Sequence, residues 1–154
     1  MKPSKKLMIA ACAALTMSGA AQAADNHTIN ISATVAAHCR FNAPSSNVNF
    51  TLDPSAATVV TQTATILYRC TKGTTPVFAF SSASTGGGAA GTLEDAVSGD
   101  TIAYSYVSSA PVDGTGLGAF QDKTLSVDVS VNQANAAGVT PGTYTDTIAI
   151  TLNP

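Results

Sequence analysis

The chain predicts an all-β fold, a sandwich or barrel of short antiparallel strands. Two observations carry this. Every readable segment beyond the first 23 residues reads as a strand, most by apolar/polar alternation with a period of two and 76–82 as a short β-rich apolar run, and no helical period of useful length appears. Gly, Pro, Asp and Ser clusters separate those segments at short intervals, as turn chemistry does between strands.

The first element is a targeting segment, residues 1–23. Lys2, Lys5 and Lys6 precede an apolar stretch, residues 7–21, and Ala21-Gln22-Ala23 reads as an A-x-A cleavage signal. The apolar stretch is shorter than the ~20 residues that span a bilayer. A lipobox reading around Cys12 leaves about five apolar residues before the cysteine, fewer than the ~7–15 of a signal core. A signal peptide implies export.

Residues 28–35 (TINISATV) form the next element. Ile29, Ile31, Ala33 and Val35 fall on one face, and Thr28, Asn30, Ser32 and Thr34 on the other. The segment has neither charge nor proline, the usual guards against pairing with another molecule. Further strands are expected at residues 47–52 (Val48, Phe50, Leu52), 63–70 (Ala64, Ile66, Tyr68, Cys70) and 76–82 (PVFAFSS). Others are expected at 102–107 (IAYSYV), 125–131 (Leu125, Val127, Val129, Val131) and 144–152 (Ile148, Ile150, Leu152). Residues 84–91 (STGGGAAG) read as a surface loop, and Asp53-Pro54-Ser55, Lys72-Gly73-Thr74, Asp113-Gly114 and Pro141-Gly142 as turns.

After cleavage at residue 23, Cys39 and Cys70 remain. Two cysteines in an exported domain favour one disulfide, the alternative being two buried free thiols. Each is in phase with the apolar face of its strand. The mature chain carries nine acidic residues against four basic ones, Arg40, Arg69, Lys72 and Lys123. That balance offers no basic track for nucleic acid and no polybasic patch for a membrane surface. No second apolar run is long enough for membrane insertion.

Reactive constellations are not found. His27 and His38 are the only histidines, and no G-x-S-x-G elbow occurs. With a disulfide formed, too few Cys and His remain for a structural zinc site. Gly86-Gly87-Gly88 lacks the Lys-Ser/Thr of a phosphate loop. Glu94, Asp95 and Asp100 cluster without calcium-loop spacing. Three Asn-x-Ser/Thr triplets are discounted because the signal peptide looks bacterial. No catalytic residue, metal or cofactor is therefore expected. Asp146, in phase with Ile148, is expected to face the end of the core and to hydrogen-bond a nearby turn, with Tyr144 beside it in the same structural motif.

The alternating run into Cys39, then Tyr68-Arg69-Cys70-Thr71-Lys72-Gly73, then Pro141-Gly142-Thr143-Tyr144-Thr145-Asp146-Thr147 and the closing strand, resemble the spore coat protein U family, which includes subunits of archaic chaperone–usher pili. The resemblance implies an immunoglobulin-like β-sandwich lacking its last strand, residues 37–154, preceded by a donor extension, residues 24–36. It implies that Ile29, Ile31, Ala33 and Val35 fill the groove of a neighbour, beside a C-terminal strand bearing Ile148, Ile150 and Leu152. The implied partners are other pilus subunits, identical or different, a periplasmic chaperone and an outer-membrane usher, with the cell surface as destination. Two rival readings stand beside this. One is a tip or adhesive module presenting Tyr104, Tyr106 and the Gly-rich loop. The other is a free-standing secreted sandwich in which residues 28–35 pair with their own body.

Overall fold

The computed structural model describes residues 25–82 and 89–154. Residues 1–23, read in the sequence as a signal peptide, with Cys12, and the Gly86–Gly88 run lie outside the described residues. The chain divides into two units, one ending at Thr34 and one running from Val35 to Pro154.

The second unit is an all-β sandwich. Its strands are β1 (Cys39–Phe41), β2 (Val59–Cys70), β3 (Val77–Ser82), β4 (Ala90–Glu94), β5 (Thr101–Ser108), β6 (Lys123–Asn132) and β7 (Ile148–Asn153). One sheet has five strands in the order β1-β2-β6-β5-β4, and the other pairs β3 with β7. All pairings are antiparallel.

The alternation in β6 sorts its side chains cleanly. Leu125, Val127, Val129 and Val131 are buried, while Asp128 is exposed. On the outer face the hydroxyls of Thr61 and Ser130 share a hydrogen bond of 2.8 Å, and Thr63 Oγ1 donates to Asp128 Oδ1 at 2.5 Å. On the inner face Tyr68, Leu125, Val127 and Val131 are among the largest fully buried side chains. Ring contacts join the sheets: Phe78 meets Tyr68 edge-on at 5.1 Å between centroids, and Phe80 meets Tyr106 at 5.8 Å.

The connection between β5 and β6 is pinned at the Cys70 end of β2. Tyr68 Oη donates to the Val112 carbonyl (2.8 Å) and accepts from the Val112 amide (2.9 Å). Gly114 lies against the backbone just past β2, where a Cβ would stand 2.5 Å from the carbonyl oxygens of Cys70 and Thr71. The expected turn at Asp113-Gly114 is thus a close backbone approach that only glycine permits.

Several expectations are corrected. Residues 28–35 are in no strand, and among the described residues they make no backbone–backbone hydrogen bond; alternation forms a strand only where a ladder partner lies alongside. Residues 47–52 keep their alternation of burial but are likewise in no strand. The expected strand 144–152 begins at Ile148, because Thr145 pairs instead with Glu94 of the other sheet. Strand β4 starts at Ala90, inside the segment read as a loop. Strand β2 starts at Val59, before the expected 63, because Gln62 puts a polar residue on the apolar phase and hides the continuation. A 3-10 turn, Gln133–Ala136, also follows β6, capped by Asn132 accepting from the Ala134 amide.

Cys39 and Cys70 form a disulfide between directly opposed positions of β1 and β2. It closes a loop with a sequence separation of 31. Replacing both cysteines by serine should lower the unfolding free energy by roughly 3.7 kcal/mol on the chain-entropy account. Urea titration of the two proteins checks this; an unchanged midpoint would show that the crosslink does not constrain the unfolded chain.

Candidate functional site

Three residues from separate strands and loops meet at the start of β7. Asp146 Oδ2 accepts from Tyr104 Oη of β5 and from Ser82 Oγ of β3, each at 2.7 Å. The carboxylate therefore turns inward, as expected from its phase, and it binds residues of two strands. Gly91 of β4 lies opposite Tyr104 in the ladder, and a Cβ there would stand 2.5 Å from the tyrosine ring and hydroxyl. The missing side chain at Gly91 is what lets Tyr104 reach across to Ser82 of β3 and to Asp146 just before β7. Burial, then the Asp146 carboxylate, push the Tyr104 phenol up to about 12.

Tyr144 donates to the carbonyl of Thr140 at 2.5 Å, four residues upstream, just before the final strand. This is the arrangement of a tyrosine corner in immunoglobulin-like sandwiches. The neighbouring acidic residues serve the same corner. Asp95 accepts from the Val97 amide and the Ser98 hydroxyl, and Asp100 accepts from the Thr140 amide. Glu94 and Thr145 exchange two backbone hydrogen bonds of 3.0 Å. These contacts fix where β7 begins.

Coverage of the inner face is uneven. Along β6 it is complete, from Leu125 to Val131. Along β2 it is not: Tyr68 and Cys70 are buried, Ile66, Ala64 and Val60 are half-buried, and Gln62, on the same face, is exposed. On the second sheet Phe78, Phe80, Ile148, Ile150 and Leu152 are all only half-buried. So are Val48, Phe50 and Leu52, which pack against the same core.

The borders of this thinly covered stripe can be traced. Residues 42–53 begin beside β2, where the Asn42 amide donates to the Leu67 carbonyl. They end near the far end of β6, where the Asp53 amide donates to Gln133 Oε1. Between those points, among the described residues, 43–52 make no backbone–backbone hydrogen bond. Asp122 anchors the start of the segment, accepting from Asn42 and from Arg69 Nε at 2.5 Å. Those bonds hold its carboxyl below the usual range. Strand β7 runs the opposite way over the same span. Its Ile148 end lies beside Ser82 and hence near Tyr104, and its Leu152 lies opposite Phe78, which packs on Tyr68. Among the described residues β7 has a ladder on one side only, with β3.

Of the residues singled out in the sequence, Cys39 and Cys70 are joined, and Tyr144 and Asp146 lie at the corner. Ile148, Ile150 and Leu152 alternate with exposed Ala149 and Thr151 along β7. Ile29, Ile31 and Val35 are 74%, 90% and 81% exposed. Tyr104 and Tyr106 are 5% and 4% exposed, so they belong to the core and present no contact surface. Gln62, Gly91 and Ser82 escaped the sequence reading. Gln62 alone left a signal, as a polar residue in the apolar phase.

The Spore Coat Protein U domain family model matches residues 25–151. The chain belongs to the Spore Coat Protein U domain family. The match takes in residues 28–35 as well as the sandwich. This is a structural, pilin-type family associated with chaperone–usher pilus subunits. No curated protein and no solved structure matches the chain. Among the described residues this Spore Coat Protein U domain is thus a five-on-two sandwich with one stripe of its core thinly covered.

Two predictions follow from the corner. Gly91→Ala should destabilise the domain by about 1–3 kcal/mol, the range for overpacking a closed site, since Tyr104 must leave its position; thermal unfolding measures it. The raised Tyr104 phenol favours the folded state while it is protonated. Its contribution is fully present below pH 10, the unfolded value, and is lost as pH rises through about 12. Tyr104→Phe should remove that segment of the alkaline stability profile, and an identical profile in both proteins would refute the assignment.

Proposed function

We propose that this protein is a non-enzymatic structural subunit of a secreted chaperone–usher pilus, joined head to tail by donor-strand exchange. The observation that carries the proposal is the thinly covered stripe of core between β7 and residues 43–52, in a family of pilin type. Among the described residues, both borders are stretches of backbone with unused ladder positions. Inserting one extended strand between them would complete the second sheet and cover Ile66, Ala64 and the half-buried face of β7.

Residues 28–35 have the properties of that strand. They alternate with a period of two, carry no charge and expose their large apolar side chains. In a neighbour's groove, burial of Ile29, Ile31 and Val35 would contribute roughly 1.5–3 kcal/mol each before ordering costs. One donor and one acceptor per subunit make a heterologous contact, and a rotation that does not close yields a filament.

On this reading residues 1–23 direct export, 24–36 are the connector and 37–154 the body. A periplasmic chaperone covers the groove until an outer-membrane usher exchanges it for the next subunit. The filament then stands on the cell surface, with a role in attachment or biofilm. Deleting residues 24–35 tests the scheme. The truncated body should still bind its chaperone but should not enter the polymers that resist detergent until boiled. A normal ladder from the truncated protein would overturn the donor assignment.

A further inference from the structure

On the donor-strand reading above, we infer that the groove reads the register and direction of the incoming strand by size. Ala33 of a second copy sits over Gln62, and Ile31 sits over Ala64.

The floor of the thinly covered stripe is the inner face of β2. From one end to the other it offers Ile66, Ala64, Gln62 and Val60, opposite Leu125, Val127, Val129 and Val131 of β6 in an unbroken register. The donor segment offers four inward positions at the same spacing: Ile29, Ile31, Ala33 and Val35. Neither set contains a charged residue, so joining them strands no ion in the core. The two sets face each other across the sandwich, where facing layers must interdigitate, large against small.

Only one direction satisfies that requirement with all four positions engaged. With the donor antiparallel to β7, Ile29 meets Ile66, Ile31 meets Ala64, Ala33 meets Gln62 and Val35 meets Val60. The smallest donor side chain then lies over the longest floor side chain, and a large donor side chain lies over the smallest floor residue. With the donor parallel to β7, Ile31 lies over Gln62 and Ala33 over Ala64. The first pair is crowded and the second leaves a void.

Gln62 gives the pairing its selectivity. It is the one polar residue on the inner face of β2 between Val60 and Tyr68, and it is exposed there. A strand that covered its amide with a bulky side chain would remove it from water without a partner, which is costly. A methyl group over it leaves room for the side chain to extend along the groove to solvent or to the donor backbone. A slip of two residues in either direction places an isoleucine or a valine on Gln62, so the same contact rejects wrong registers.

The test uses the exported full-length chain, with polymers read as the detergent-resistant ladder lost on boiling. Ala33→Leu should reduce the ladder at least tenfold, and adding Gln62→Ala to it should restore it to within about threefold of the parent. Ala64→Leu should act the same way, with rescue by Ile31→Ala. Residues 31 and 33 lie outside the sandwich, so loss through misfolding is checked by chaperone binding of the same variants. Full polymerisation of Ala33→Leu, or failure of both rescues, overturns the size code. If deletion of residues 24–35 abolishes the ladder while Ala33→Leu leaves it intact, only the size code falls. If the deletion polymerises normally, the donor-strand reading falls and takes the size code with it.

Discussion

A five-stranded sheet with one apolar face must be covered along its whole width, and among the described residues only β3 and β7 form the opposing sheet. Much else in the molecule follows from that mismatch. The two strands lie where they bury β6 from end to end and the tyrosines of β5, leaving the first half of β2 thinly covered. Residues 43–52 lean on the core without joining a ladder. The mismatch also gives the contacts at the start of β7 their importance, since a two-stranded sheet is weakly held by its own ladder.

Those contacts form one connected device. The absent side chain at Gly91 admits the Tyr104 ring, the Tyr104 hydroxyl reaches Asp146, and Asp146 also holds Ser82. Three strands and the approach to a fourth thereby meet at one carboxylate. Tyr144 and the Glu94–Thr145 pair brace the same corner from the outside. The position of β7, and with it one border of the stripe, is set by polar contacts more than by burial of β7's own apolar face.

What the sequence made legible divides along a physical line. Period-two alternation reports which side chains are buried, and it located β5 and β6 and the burial of Val48, Phe50 and Leu52, while β3 was legible as a short β-rich apolar run. It does not report pairing, so residues 28–35 and 47–52 read as strands though neither lies in a ladder here. Strand β4 was hidden because its glycine serves a tyrosine on another strand, a relation without a local signature. The true start of β2 was hidden by Gln62, which broke the alternation with a polar, exposed residue on the inner face of the strand. Tyr104 and Tyr106 looked like a surface pair because two exposed or two buried tyrosines give the same spacing.

The path of the chain into β7 has a mechanical consequence. Thr145 is hydrogen-bonded into the larger sheet, and three residues later the same chain enters the smaller one. Tension applied along β7 from its C-terminal end would therefore load its six ladder positions with β3 together, in shear, before any one could peel. What passed that ladder would arrive at a corner tied to both sheets. A strand mounted this way bears pull as a rope spliced at its far end does, and its strength depends on the splice as much as on the length of the rope.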